Sequence, residues 1–281
     1  MKTSISPAQP YIQKASVFPL ITINSVLLYL LAYVFLFLLT RMSTAISASA
    51  FNIPSLIYYF DTDFLINSHG WNAESVVTVF SAAPLISLFM ALALIELYRE
   101  IVQFSGIAEI FIAWLIILCM GYFAGELIIG AILNRGFGHV MKYWCIMDTG
   151  RMTFTLLSGF VLIIAAKGLS RVLLCSANVY FNDLKGKLKL KFAFCQFILP
   201  FIIASLILQF CELPKFSFYL FAARCTLVII LLPLISRSFT IPDLYFDEDP
   251  RTPSFSKSLA VITLLALLVY RVVFGIGVRI M

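Results

Sequence analysis

Seven long runs of apolar residues divide the chain, and they constrain its fold more than any other feature of the sequence. A bilayer core about 30 Å thick requires roughly 20 consecutive apolar residues for each helical span. Polar and apolar residues do not alternate at the period of a strand, which argues against an outer-membrane barrel. The predicted spans are residues 17–40, 76–97, 107–133, 152–170, 192–211, 216–236 and 258–278.

These runs predict an all-α protein, a polytopic transmembrane helical bundle with six or seven spans. The number stays open because the gap at 212–215 is so short that the two runs beside it also fit a re-entrant pair. Residues 17–281 are predicted to form one integral membrane domain after a polar tail at 1–16. Residues 51–74 are too polar to cross a bilayer but rich in aromatic side chains, which predicts a short interfacial loop or strand pair.

The composition agrees with a chain whose main partner is the lipid bilayer. Hydrophobic residues make up 62% of the chain and charged residues only 12%, whereas soluble domains carry about 25% charged residues. With the N-terminus in the cytoplasm, the cytoplasmic segments hold most of the lysine and arginine residues, which predicts this orientation in the plasma (inner) membrane. The net charge of +6 is then a topology signal, and no nucleic acid partner is predicted.

A lysine-rich segment, KGKLKLK at 185–191, lies in one of the predicted cytoplasmic segments. Its lysines could rest on anionic headgroups, or they could simply form a solvated flank of the next span. The sequence leaves both interpretations open.

Three ionisable residues lie well inside the apolar runs: Glu126, Arg224 and Arg271. An ionisable residue at membrane depth is costly and normally faces protein or water. All three fall at a similar distance from the same end of their spans, so we expect a cluster in which Glu126 pairs with Arg224 or Arg271. Such a cluster could fix which helices are neighbours, or it could form a substrate or proton site.

Small residues accompany Glu126 on the third span. Gly121 and Gly125 form a GxxxG step, and Gly130 falls on the same stripe as Glu126 at helical spacing. Glycines at this spacing allow a second helix to approach closely. They therefore predict a helix-packing face, used with another membrane protein or in self-association.

A loop after the third span gathers Arg135, His139, Asp148 and Arg151, which are residue types capable of acid–base chemistry. We predict a polar site on the outer side, although a charged interfacial loop explains the same residues. The chain contains no HExxH sequence and no GxSxG sequence. No catalytic residues, metal ligands or cofactors are therefore assigned.

Three segments resemble site-2-protease-type membrane proteins: RMSTAISASAFNIPS, then YYFDTDF, then FSAAPLISLFMALALIELY. In that family a metal-binding helix ends in small residues, and a membrane-associated strand pair and a proline-containing helix follow. The resemblance would place Pro84 at the family's proline and Asp148 at its ligand aspartate. Arg41 to Thr44 stand where the zinc-binding histidines and glutamate would be, so the resemblance implies a non-catalytic relative.

The leading prediction is a non-enzymatic integral membrane subunit or scaffold that associates with a partner in the bilayer. The glycine face, the aromatic loop at 51–74 and an acidic loop at 243–249 provide candidate docking surfaces. The alternative is a small transporter or channel that uses the intramembrane glutamate and arginines. A third interpretation is an intramembrane hydrolase that uses His139 and Asp148.

Overall fold

The computed structural model describes residues 12–101, 106–144, 146–246 and 254–281. Within these ranges, seven helical segments are long and apolar enough to cross a membrane. The predicted all-α bundle is therefore confirmed. The helices are α1 (Ile12–Ser49), α2 (Ala73–Ile101), α3 (Ile107–Leu133), α4 (Phe137–Tyr143), α5 (Asp148–Cys175), α6 (Lys187–Ala193), α7 (Leu199–Glu212), α8 (Phe218–Cys225), α9 (Leu227–Ser238) and α10 (Lys257–Ile276).

Two spans are built from more than one helix. A π-helical turn at Phe194–Ile198 joins α6 to α7, and α8 meets α9 at Thr226. The two resulting spans, Lys187–Glu212 and Phe218–Ser238, are each long enough to cross the bilayer. The short gap thus separates two segments that are each long and apolar enough to be a span, which gives seven candidate spans among the described residues.

Short strands mark the two ends of the bundle. They are β1 (Ser55–Ile57), β2 (Thr62–Phe64), β3 (Asp183–Leu184), β4 (Leu244–Tyr245) and β5 (Val278–Ile280). The antiparallel order β2-β1-β5 joins the segment after α1 to the end of the chain, and we call this the sheet end. The opposite end, where β3 pairs with β4 beside α6, is called the lysine end.

Helices α1 and α3 form the centre of the bundle. Trp114 of α3 is fully buried, stacks edge-on against Tyr29 at 4.8 Å, and donates a hydrogen bond of 2.8 Å to the Ser25 hydroxyl. The same hydroxyl donates to the Gln196 carbonyl, which joins α1 to the π-helical turn. Helix α10 packs against α1 at the periphery and exposes most of its apolar side chains. Burial at the centre thus fixes the bundle, while the outer face of α10 suits contact with lipid.

The start of α1 changes one predicted boundary. The helix begins at Ile12, so residues 12–16 of the predicted tail are helical, and residues 1–11 lie outside the described residues. The helix also continues to Ser49, nine residues beyond the predicted end of the first span at residue 40. Arg41 is consequently a helical residue that lies within the bundle.

The glycine face of α3 is used within the chain. A Cβ atom on Gly121 would overlap the Leu227 side chain, and one on Gly125 would lie 3.0 Å from the Ala223 carbonyl oxygen. The Thr226 hydroxyl also lies 3.2 Å from the Gly121 carbonyl oxygen. These glycines let α8 and α9 approach α3, and so they are not open to another protein.

At the lysine end, three of the four lysines in 185–191 have partners within the chain. Lys185 pairs with Asp183 at 2.7 Å, and the Lys191 ammonium lies 4.0 Å from the centre of the Phe18 ring. Lys189 is buried and donates to the Ile241 carbonyl at 2.6 Å and to Asp243 at 3.0 Å. Much of this positive charge therefore ties α6 to the loop before α10 and is not free for headgroups.

Replacing Lys189 with methionine should lower the free energy of unfolding by about 1–3 kcal/mol, because the Ile241 carbonyl loses its buried donor. The exposed Lys187→Met variant removes the same charge from the same helix and should leave stability near wild type. Thermal unfolding in mild detergent compares the two. Equal unfolding temperatures would contradict a structural role for Lys189.

The Lys189 hydrogen bond also keeps the pKa of Asp243 below its ordinary value, with help from the Gly186 amide. The contribution of this contact to stability is thus present at neutral pH. It is lost only as the pH falls through the lowered pKa of Asp243.

Candidate functional site

A polar cavity of about 230 Å³ lies near the sheet end, among α1, α2, α3, α4 and the start of α8. Five of its lining residues have acidic or basic side chains. They are Arg41 of α1, Asp61 between β1 and β2, Glu126 of α3, Arg135 before α4, and His139 of α4. The cavity therefore brings together groups from five separate parts of the chain.

Glu126 forms one wall and is buried, with 6% of its surface exposed. The Tyr219 hydroxyl donates a hydrogen bond of 2.5 Å to Oε2 of Glu126. The backbone N–H of Phe137 donates to the same oxygen at 3.4 Å. This carboxylate is thus held in place by two protein donors.

The turn between α3 and α4 places the Phe137 amide above Glu126. Asn134 follows the last residue of α3, has a left-handed backbone conformation (φ 53°) and donates its N–H to the Gly130 carbonyl. Gly130 then packs against this turn, because a Cβ atom there would lie 2.8 Å from the Arg135 carbonyl oxygen and 3.2 Å from the Gly138 nitrogen. The predicted packing role of Gly130 is therefore toward this turn and α4.

Arg41 also lines the cavity, and its side chain is partly buried. One guanidinium nitrogen donates to the Thr62 hydroxyl at 3.2 Å, and Cζ lies 5.9 Å from the centre of the Phe37 ring. Among the described residues, no carboxylate lies within ion-pairing distance of Arg41. Since a guanidinium has five N–H donors, most of its donor capacity is available to the cavity.

The cavity continues toward the sheet end into a wider space of about 450 Å³. The two spaces share Asp61, Arg135, Ser217 and Tyr219, and aromatic side chains including Phe60, Phe216 and Phe218 line the wider one. Arg135 is exposed and lies where the two spaces meet. A small solute could thus reach Glu126 and Arg41 by way of Arg135.

His139 lies beside the cavity as a half-buried ring, 4.9 Å from the Phe80 ring centre. Burial, followed by the charges of Lys142 and Arg135, lowers the pKa of His139 below its ordinary value. The imidazole is therefore neutral at pH 7 and adds no positive charge to the cavity.

The other intramembrane arginines have partners elsewhere, which corrects the predicted pairing with Glu126. Arg224 forms a 2.7 Å ion pair with Glu212, and Arg271 donates to the Leu213 carbonyl at 2.7 Å. Glu212 falls within the short gap at 212–215 between two predicted spans, but in the structure it is fully buried as the last residue of α7. Glu212 is therefore the counter-ion of Arg224, the role that was predicted for Glu126.

The predicted outer-loop site divides into two parts. Arg135 and His139 join the cavity around Glu126. The Asp148 side chain is 96% exposed and lies 3.7 Å from Arg151, which also donates to the Asn134 side chain at 2.6 Å. Asp148 and Arg151 thus border a separate surface recess and hold the loop against α5.

Sequence reasoning missed Arg41, Asp61 and Tyr219 as members of the site. Arg41 follows the predicted end of the first span, and Asp61 lies in a segment assigned to the interface. Continuing the helix through the small residues at 42–50 would have indicated that Arg41 lies inside the bundle.

Comparisons of the chain with known protein families, curated proteins and solved structures give no match.

Proposed function

We propose that the protein is a small multi-pass transporter that binds an anionic solute in the polar cavity. The observation that carries the proposal is Arg41, whose guanidinium lines this cavity without a carboxylate at ion-pairing distance among the described residues. A cation within a membrane protein is expensive unless a counter-ion or water compensates it. The charges of Glu126 and Asp61 in the same lining compensate Arg41 in part, and a bound anion would add a direct ion pair.

The hydrogen bonding in the cavity favours an anion over a cation. Glu126 already accepts from Tyr219 and from the Phe137 amide, whereas Arg41 donates one bond, to Thr62. Arg41 thus has free donors for a ligand, while the Asp61 carboxylate, which accepts from the Thr62 N–H, is the other charged group of the inner lining. Arg135 at the entrance adds a second positive charge on the route inward.

An interrupted span supports transport over static binding. The span that carries Tyr219 changes helix at Thr226, which lies against the Gly121–Gly125 step of α3 just before Glu126. Transporters often place their solute sites beside discontinuous helices near the middle of the membrane. Such interruptions give a bundle places at which two halves of a span can move separately.

The proposed orientation of the chain in the membrane rests on the positive charges at the lysine end. Lysine and arginine concentrate in loops on the cytoplasmic side of the inner membrane, and Lys185, Lys187 and Lys191 lie at that end of the bundle. The N-terminus is then cytoplasmic. The polar cavity would take its solute from the outer side.

Two of the three docking surfaces predicted for a partner-binding subunit pack within the chain itself. The glycine face packs on α8 and α9, and the aromatic loop packs Phe64 and Trp71 against Phe80 of α2. In the acidic loop, Asp243 binds Lys189, and residues 247–249 lie outside the described residues. The solute cavity is therefore the better supported basis for function.

Replacing Arg41 with glutamine should weaken anion binding by roughly 10- to 100-fold, the effect of losing a charged hydrogen bond of about 1.5–3 kcal/mol. The measurement is thermal stabilisation of the detergent-purified protein by acetate and by phosphate at constant ionic strength. Arg279→Gln is the matched control, because Arg279 is exposed in β5 at the same end and lies outside the cavity lining. Equal stabilisation of both variants would overturn the proposal.

A further inference from the structure

A second cavity, smaller and apolar, lies directly beneath the polar one. It has a volume of about 50 Å³ and is lined by α1, α3, α8 and Leu227 at the start of α9. Its apolar walls include Leu36, Phe37, Leu118 and Leu220. Arg41 and Tyr122 line both cavities, so the two spaces meet at these side chains. We call the smaller space the apolar slot.

The atoms that line the apolar slot are mostly carbon. The Thr40 hydroxyl donates to the Leu36 carbonyl at 2.8 Å, whereas Arg224 pairs with Glu212 through Nη2 and keeps Nε and Nη1 without a partner among the described residues. A water molecule needs two to four polar partners to occupy an internal space. Carbon atoms form the greater part of the slot wall and offer water no partners, so an alkyl group fits most of this space.

We propose that the solute is a short-chain alkyl carboxylate, with its anionic head on Arg41 and its alkyl tail in the apolar slot. This inference rests on the proposed function and names the ligand class of the same site. Because Arg41 lines both the polar cavity and the apolar slot, a carboxylate bound to Arg41 places the adjoining carbon atoms at the entrance of the slot. The polar and apolar spaces then act as two halves of one amphipathic site.

The volume of the apolar slot sets the length of the tail. A cavity of about 150 Å³ accommodates benzene, so a slot one third of that size suits roughly two or three carbon atoms. Each methylene buried should raise affinity roughly 4-fold. Affinity should therefore increase from acetate to about pentanoate and then level off.

The test is binding of formate, acetate, butyrate, pentanoate, hexanoate and octanoate to the purified full-length protein in detergent. Isothermal titration gives an affinity for each, and 1-butanol serves as the tail without the charged head. We expect a rise with chain length that ends near pentanoate, and no measurable binding of 1-butanol. Steady growth of affinity through octanoate, or binding of 1-butanol, would overturn the inference, because either indicates partition into the apolar surface or the detergent.

Two variants test the position of the tail. Leu220→Ala enlarges the apolar slot and should move the plateau to a tail about two or three carbons longer. Leu265→Ala makes the same change on the lipid-facing side of α10, where Leu265 is 56% exposed, and should leave the chain-length profile unchanged. A plateau that stays at the same length in Leu220→Ala would place the tail elsewhere and overturn the inference.

The two proposals fail in different ways. Binding of formate and acetate that does not vary with chain length would overturn the alkyl tail but retain an anion site at Arg41. Absence of binding across the whole series, with Arg41→Gln equal to wild type, would overturn the proposed function and this inference with it.

Discussion

Replacing Glu212 with leucine should lower the free energy of unfolding by about 3–5 kcal/mol, because it leaves the Arg224 charge buried without a counter-ion. The two side chains are 2.7 Å apart, and 7% of the Arg224 side chain and 1% of the Glu212 side chain are exposed. Nε and Nη1 of Arg224 have no hydrogen-bond partner among the described residues, and Cζ lies 5.5 Å from the centre of the Tyr33 ring. Glu212 is thus the principal compensation for this cation.

The experiment is a double-mutant cycle measured by thermal unfolding in mild detergent. Glu212→Leu and Arg224→Met should each destabilise the protein strongly, and the double variant should recover most of the loss, since an apolar pair needs no counter-ion. Glu74→Gln is the control for a single carboxylate, because Glu74 is exposed in the first turn of α2. A double variant as unstable as the sum of its parts would show that the pair acts through packing alone.

The overall fold could be predicted because the length of each apolar run is counted directly along the sequence and can be compared with the thickness of a bilayer. Seven apolar runs became seven helical segments of sufficient length, and the aromatic segment after the first run became the strand pair β1–β2. Helix ends are less certain, since small polar residues such as those at 42–50 permit a helix without requiring one. The extension of α1 to Ser49 brings Arg41 into the bundle.

Partners within the bundle could not be predicted, because depth along a span says nothing about which way a helix is rotated. Glu126 and Arg224 lie at similar predicted depths, yet each meets another side chain, Tyr219 and Glu212 respectively. The GxxxG step on α3 likewise does not indicate which helix packs against it. Its spacing indicates close packing, while the identity of the neighbour depends on the tertiary fold.

Replacing Gly136 with alanine should disrupt the polar cavity more than any other single methyl group added to it. Gly136 has φ of +52° and ψ of −123°, a conformation that alanine adopts only with strain of about 1–3 kcal/mol. A Cβ atom there would also overlap both Oε2 of Glu126 and the Tyr219 hydroxyl. The turn must then move away, so that Glu126 loses the Phe137 amide and the cavity changes shape around the carboxylate.

Gly186 separates the two effects, because it has nearly the same backbone conformation (φ +50°, ψ −130°) and no described atom within 4 Å of an added Cβ. Gly186→Ala should therefore show the backbone strain alone. Gly136→Ala should unfold at a lower temperature than Gly186→Ala, and its affinity for acetate should fall by roughly 10-fold or more, which corresponds to about 1.4 kcal/mol. Equal unfolding temperatures for the two variants would mean that the turn at Gly136 shifts to accept the methyl group without disturbing Glu126. In that case the carboxylate is held by Tyr219 alone, and the turn before α4 takes no part in shaping the site.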